Sequence, residues 1–291
     1  MMRLLLVANT SNALAVHARD EVKGWLEARG IQTATASSGD FTHNNTEVRQ
    51  LSAEIGSYDL VCVFGGDGAI LRTARIIGAS QVPLLGFNFG HLGFLAGASG
   101  DDPISALEAV FADEVTHERR TVLDACIRYA DGHTEQITAL NEIALTRGSS
   151  GRVIDVNLFI NGVYIADIRG DGILVATATG STAYALSAGG PLMAPTHKGL
   201  SVVPVAPHTL AARAMVTACN DIIELVPAAE REQQITVFAD GEALEHPDDI
   251  SAGIVAVRVA RSPDELLLVR HDAPDFYTAV SRVFFGGGHA R

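Results

Sequence analysis

Through the first hundred residues, short apolar runs alternate with segments whose apolar positions recur every three or four residues. Residues 3–8 predict a buried strand, and residues 14–29 a helix with Val22, Trp25 and Leu26 on one face and Gly30 as its stop. Residues 31–36 predict a second strand, 46–55 a helix, 60–64 a third strand, 69–77 a helix ending at Gly78, and 84–88 a fourth strand. Strands alternating with helices in this way build a parallel sheet covered on both faces. Residues 103–113 predict one more helix, and there the period changes. From residue 121 apolar and polar positions alternate: 121–130, a turn at Asp131-Gly132, and 134–147 as a continuing strand. Residues 153–160 and 163–168 flank Asn161-Gly162, a pair suited to a two-residue hairpin because both central residues take positive φ.

Further strands are expected at 201–206, 221–226, 234–239, 253–260 and 265–270. One helix interrupts them, entered through Gly180-Ser181-Thr182 as a cap and running over 183–188, and residues 277–285 form a last amphipathic helix. The expected fold class is an α/β N-terminal domain with a parallel sheet plus a mostly-β C-terminal domain. The change of period puts the boundary near residue 98, with domains at 1–98 and 99–276.

Composition restricts partners and compartment. The chain has 291 residues, 47% of them hydrophobic, enough for two cores. Lys and Arg number 21 against 34 Asp and Glu, a net charge of -13, and no basic cluster stands out; nucleic acid and anionic membrane are poor partners for such a surface. Cys62, Cys126 and Cys219 lie far apart in apolar runs, as small core residues of a reducing cytoplasm do, and not as a disulfide framework or a zinc site. No apolar run is long enough for a membrane span.

The chemistry concentrates where the third strand runs into Gly65-Gly66-Asp67-Gly68 and then a helix. Open α/β sheets bind ligands at the carboxyl ends of their strands. Three glycines there let the backbone take positive φ and let a bulky anion approach bare main chain, whose N–H groups attract phosphate. Other nucleotide and hydrolase motifs are missing: no Gly-x-x-x-x-Gly-Lys-Ser/Thr, no Gly-x-Gly-x-x-Gly after the first strand, no His-Glu-x-x-His and no Gly-x-Ser-x-Gly. An acid group beside a turn suited to phosphate fits either proton transfer as a base or binding of Mg²⁺, and Asp67 is that group here. Asn141 and Glu142 sit in an otherwise apolar stretch, 139–145, read as a strand that points them to opposite faces.

Gly65-Gly66-Asp67-Gly68 resembles the signature shared by NAD kinases, diacylglycerol and sphingosine kinases and, more distantly, phosphofructokinases. Leu140-Asn141-Glu142-Ile143-Ala144-Leu145 and the stretch from Arg169-Gly170-Asp171-Gly172 to Thr179-Gly180-Ser181-Thr182-Ala183-Tyr184 resemble the other two NAD kinase signatures, in order and at fitting spacing. The likeness covers about residues 60–285.

What the resemblance implies is specific. ATP or inorganic polyphosphate would donate a phosphate, with Mg²⁺, to the 2′-hydroxyl of the adenosine ribose of NAD, forming NADP. Asp67 would be the base, and Gly65, Gly66 and Gly68 would bind donor phosphate, Gly68 also meeting NAD. Asn141 would read adenine and Glu142 the ribose diol, while Asp171 would face the nicotinamide side. Thr182 and Ala183 would lie at adenine, the Tyr184 ring against nicotinamide and Ser187 toward ribose. Phe94, in the loop 87–96, would lie near adenine or plug the domain junction, and His91 would be a hydrogen-bonded loop residue. Arg72, Arg152 and Arg169 match family positions for cationic contacts to NAD or donor phosphates; Ala206, toward NAD, and Asp240 are placed by their loops alone. Asp67, Asn141, Glu142 and Asp171 would gather in one cleft, residues 277–291 would return to the first domain, and the protein would form a homodimer or homotetramer.

Two departures are plain: Ala69 stands where the family usually has Thr, and Ala178 where Pro is common. Both leave the carboxylates intact. The rival readings are a lipid or sphingoid kinase with the same glycine-rich loop and a catalytically dead dinucleotide-binding sensor.

Overall fold

The computed structural model describes residues 2–41, 46–90, 93–148, 151–209, 211–228, 233–244 and 253–286. The chain divides into two compact units, one of Met1–Arg120 with Asp264–Arg291 and one of Thr121–Pro263. The divisions thus fall at Arg120 and Asp264, where the hydrophobic period puts the first at residue 98 and the resemblance puts the return to the first domain at residue 277. Period reports the type of an element, whereas shared core decides its domain.

The first unit contains β1 (Arg3–Ala8), α1 (Ala13–Glu27), β2 (Gln32–Ser37), α2 (Thr46–Glu54), β3 (Leu60–Gly65), α3 (Asp67–Ile77), β4 (Leu84–Asn88), β5 (Ala98–Ser99) and α4 (Pro103–Phe111). Strands β2, β1, β3 and β4 lie side by side and parallel, with Leu4 opposite Leu60 and Val61 opposite Leu84. Every residue of β3 is buried, as expected of a strand covered on both faces. Ala15, Ala18, Val22 and Leu26 of α1 pack one face against Leu4, Leu6, Cys62 and Phe64. Ala106 and Leu107 of α4 join this same core, which is why α4 belongs here. The Asn12 side chain starts α1 by accepting the N–H groups of Leu14 and Ala15.

Strand β6 (Thr116–Tyr129) leads into the second unit, followed by β7 (Thr134–Ala139), β8 (Glu142–Arg147), β9 (Ile154–Ile160), β10 (Val163–Gly170), β11 (Gly172–Ala176), α5 (Tyr184–Ser187), β12 (Ser201–Val205), β13 (Met215–Val216), β14 (Ile223–Pro227), β15 (Ile235–Ala239) and β16 (Glu242–Ala243). Strand β17 (Ile254–Arg270) passes back to the first unit, where Leu268 stands in parallel register with Leu84, and α6 (Phe276–Phe284) follows. Within the second unit, one antiparallel set runs β10, β9, β14 and β17, and a second sheet runs β13, β12, β11, β8, β15 and β16. Leu158, Leu225 and Val257 from the first set share a core with Ile143, Leu145, Ile173, Val175 and Val237 from the second. On the second sheet's other face, Ala185 of α5 packs against Ala144, Leu174, Ala176 and Val203.

Several local expectations change. Residues 134–147 are two strands, not one: β7 pairs with β6 and β8 with β11 and β15, so the chain switches sheets at Leu140-Asn141. Asn141 therefore lies between strands and not inside one. Residues 253–260 and 265–270 are a single strand, β17. Strand β11, which alternation does not signal, occupies the middle of its sheet; all five residues are buried because both faces are covered. The helix after Gly180 is a turn of 3₁₀ helix and then the four residues of α5, and Ser181 does not cap it. Its hydroxyl is buried and donates to the carbonyl of Ala178.

Candidate active site

In the first unit, β3 ends at Gly65 and α3 begins at Asp67, so the carboxylate stands at the strand's carboxyl end in the first helical turn. Gly65, Gly66 and Gly68 all keep ordinary φ, so conformational freedom is not why they are glycines. Crowding explains Gly65 alone. A Cβ at Gly65 would lie 2.8 Å from that of Ala69, while one at Gly66 would meet nothing, which leaves bare main chain facing open room. Burial of Ala69 fits the first constraint, since a larger residue there would crowd the turn.

Asp67 is held from the facing loop. The Phe94 N–H donates to its Oδ2 at 2.9 Å and the Leu95 N–H to its Oδ1 at 3.3 Å. Gly93 is a glycine because a Cβ there would run into Oδ1, Cγ and Oδ2 of Asp67. Burial raises the Asp67 pKa above the usual carboxylate value; the two N–H bonds, and then the charges of Arg120 and Arg270, oppose the rise without cancelling it. Arg72 on α3 donates through Nε to the Ser38 carbonyl at 2.8 Å, and its Nη1 lies 3.7 Å from where a Gly68 side chain would start. The Phe94 ring stacks on Phe284 and tilts against Phe276, both from α6. His91 lies outside the described residues.

The second unit carries its own cluster. Asn141 and Glu142 are buried where the chain switches sheets, and one carboxylate fixes that switch: Asp240 accepts the N–H groups of Leu140 at 3.0 Å, Asn141 at 2.6 Å and Glu142 at 3.3 Å. Thr177 fastens the other side, its hydroxyl donating to the Leu140 carbonyl and its N–H to that of Asn141. Gly180 must be glycine, because a Cβ would strike the Asn141 backbone. Glu142 is 4% exposed, its Oε2 has no hydrogen-bond partner, and burial followed by the charge of Asp240 pushes its pKa to about 8.

Asp171, between β10 and β11, forms an ion pair with Arg147 at 2.8 Å. Tyr184 begins α5 and is partly exposed; its hydroxyl pKa is raised by burial and then by the charges of Asp171 and Glu142, which places these three in one neighbourhood. Thr182 donates to the Thr179 carbonyl, Ala183 leads into α5 and Ser187 ends it, exposed. Ala206 is exposed with φ 44°, next to Val205, whose carbonyl accepts the Asp171 N–H. Arg169 lies 3.7 Å from Asp155, and exposed Arg152 precedes β9; no described contact brings either side chain to Glu142 or Tyr184.

The arrangement supplies bare main chain facing open room beside a carboxylate made more basic by burial in one unit and, in the other, a buried amide and acid near the Tyr184 ring. The sequence pattern places Asp240 by its loop alone and gives no sign of the roles of Thr177 and Gly93; an Asp-Gly turn after an apolar strand is the signal that marks Asp240. Among the described residues no three His, Cys, Asp or Glu side chains cluster to hold a metal. No helix among them is long and apolar enough to cross a membrane.

Comparison with known proteins agrees with this chemistry. Residues 4–115 match the ATP-NAD kinase N-terminal domain and residues 140–270 the ATP-NAD kinase C-terminal domain. The NAD kinase of Aromatoleum aromaticum is 37% identical over 254 residues, 87% of this chain and 80% of that protein. That of Symbiobacterium thermophilum is 33% identical over 98% of this chain and all of its own length. Among solved structures, yeast NADH kinase in complex with NADH superposes with a TM-score of 0.84 at 22% identity, covering 100% of this chain and 89% of that one. An Archaeoglobus fulgidus NAD kinase in complex with ATP superposes with a TM-score of 0.71 at 24% identity, covering 98% of each chain. With both domains matched in order and the identity sustained over most of the chain, this protein belongs to the NAD kinase family.

Proposed function

We propose that this NAD kinase moves the terminal phosphate of ATP to the 2′-hydroxyl of the adenosine ribose of NAD, forming NADP, with Asp67 orienting and deprotonating that hydroxyl. The observation that carries the role of Asp67 is its setting: a carboxylate gripped by two N–H groups, made more basic by burial, beside glycines that leave room for phosphate. ATP is favoured over polyphosphate because the matched domains are those of ATP-NAD kinases and the archaeal relative was solved with ATP. Both signatures beyond the glycine-rich loop fall in the matched C-terminal domain, which favours NAD over a lipid acceptor.

Asp67 is the carboxylate that would hold Mg²⁺, which keeps one or two protein carboxylates when bound to phosphates and would supply charge neutralisation at the transferred group. Asn141 donates and accepts at adenine. Glu142, largely protonated at neutral pH, offers the ribose diol both an O–H donor and an acceptor. Thr182 and Ala183 serve the adenine, Ser187 the ribose, and Asp171 and Tyr184 the nicotinamide side. Arg72 lies along the phosphate-binding loop and serves donor phosphate, with Arg152, Arg169 and Ala206 as outer contacts to NAD. We place the protein in the cytoplasm, which its three free cysteines support. Exposed Val163, Tyr164 and Ile165 on β10 support self-association into a dimer or tetramer.

The test is NADP formation from NAD and ATP, with and without Mg²⁺, by wild type and Asp67→Asn. The variant keeps shape and loses charge, so turnover should fall by roughly 10²- to 10⁴-fold with NAD affinity little changed. Wild-type turnover by Asp67→Asn would remove Asp67 from catalysis.

A further inference from the structure

We infer that Arg270 is a positioning residue for Asp67: its guanidinium fixes the strap Gly93-Phe94-Leu95-Ala96 whose N–H groups hold the Asp67 carboxylate. The inference rests on the reading of Asp67 as the base. Arg270 ends β17 and is 8% exposed. Its Nη1 donates to the Ala96 carbonyl at 2.7 Å, its Nη2 to the Pro274 carbonyl at 2.7 Å, and its Nε lies 3.6 Å from Oε1 of Glu118. Ala96 directly follows the two residues that donate to Asp67.

The downstream end of the strap is fastened as well. The Gly97 N–H donates to the Gly86 carbonyl, and the Gly97 carbonyl accepts from His271. A Cβ at Gly97 would collide with the Val269 carbonyl, so the strap lies flush on β17. Arg270 thus holds the strap at the Ala96 carbonyl, between the Asp67 donors and this anchor.

Stability alone is a weak reason to bury such a cation, since well-packed apolar residues do as well. The planar fork explains the choice: it reaches two carbonyls and a carboxylate from three separate nitrogens, a spread that the three donors on the single nitrogen of an ammonium do not span. A cavity of about 250 Å³, lined by Arg270 together with Gly93, Phe94, Ala96 and Phe276, adjoins the guanidinium. It gives a small cation access to the space that truncation would open.

The experiment compares the full-length wild type with Arg270→Ala, Arg270→Lys, Asp67→Asn and the Asp67→Asn, Arg270→Ala double variant, reading kcat, NAD affinity by calorimetry and Tm. Misplacing the carboxylate should lower kcat of Arg270→Ala by about 10²-fold while NAD affinity stays within about threefold. Millimolar guanidinium should restore part of that loss, and methylammonium should not. Because both residues act through one carboxylate, the double variant should be no slower than Asp67→Asn. Arg270→Lys guards against misfolding of the alanine variant: it keeps the charge, serves one carbonyl, and should turn over at least about tenfold slower than wild type. Wild-type kcat in folded Arg270→Ala or Arg270→Lys overturns the inference. So does loss in the double variant equal to the product of the single losses. Full activity of Asp67→Asn would instead sink the reading of Asp67 itself, whatever Arg270 shows.

Discussion

Replacing Glu142 by Gln should make the protein more stable at neutral and alkaline pH. In the folded chain this carboxyl titrates at about 8, against an ordinary value of 4.5, because it is buried and faces the charge of Asp240. Between those two values the folded state keeps the proton and the unfolded state has released it. A raised carboxyl pKa therefore costs nothing below 4.5, costs progressively more as pH rises, and reaches its full cost above 8. At about 1.4 kcal/mol per pH unit, the cost at neutral pH is on the order of 3 kcal/mol.

Gln preserves the volume and hydrogen-bonding reach and cannot ionise. Urea denaturation of both proteins at about pH 5 and about pH 9 should show wild type losing on the order of 4 kcal/mol more than Glu142→Gln across that range. Calorimetry adds a functional reading: wild-type affinity for NAD should fall as pH passes about 8, where Glu142 loses its proton, and that of the variant should stay level over the same interval. Parallel stability curves for the two proteins would refute the reasoning, since they would mean that Glu142 is ionised at no unusual cost.

Asn141→Ala should weaken NAD binding by about 1–3 kcal/mol through loss of a buried amide pairing, and equal affinities by calorimetry would remove Asn141 from the site. Gly93→Ala puts a methyl into the Asp67 carboxylate, so turnover should fall by about 10²-fold with the second unit's groups untouched; wild-type turnover would show that the strap does not position Asp67.

Much of the framework was readable from neighbours in the chain. An apolar run into Gly-Gly-Asp-Gly and out into a periodic helix predicts β3, the turn and α3 because each is decided by residues within a few positions. Asn161-Gly162 predicts its hairpin for the same reason, and the two residues do take positive φ, 52° and 75°. The candidate groups were also visible, since carboxylates inside apolar stretches are conspicuous. Their surroundings were not. The break between β7 and β8 escaped the hydrophobic pattern because Leu140 continues the apolar run, and the cause of the break, the Asp240 carboxylate, is 99 residues from Asn141.

What the sequence by itself determined is most of the elements, the two fold types and the chemical identity of the groups, all properties of local pattern; the β7–β8 break, β11 and the continuity of β17 were decided elsewhere. Tertiary structure alone decided their state. Asp67 is a stronger base than a free carboxylate because of burial, and it is aimed by N–H groups 27 and 28 residues away. Glu142 is an acid at neutral pH because folding removed its water and brought Asp240 beside it. Desolvation and charge proximity depend on distance in space, and a linear chain carries no record of that until it has folded.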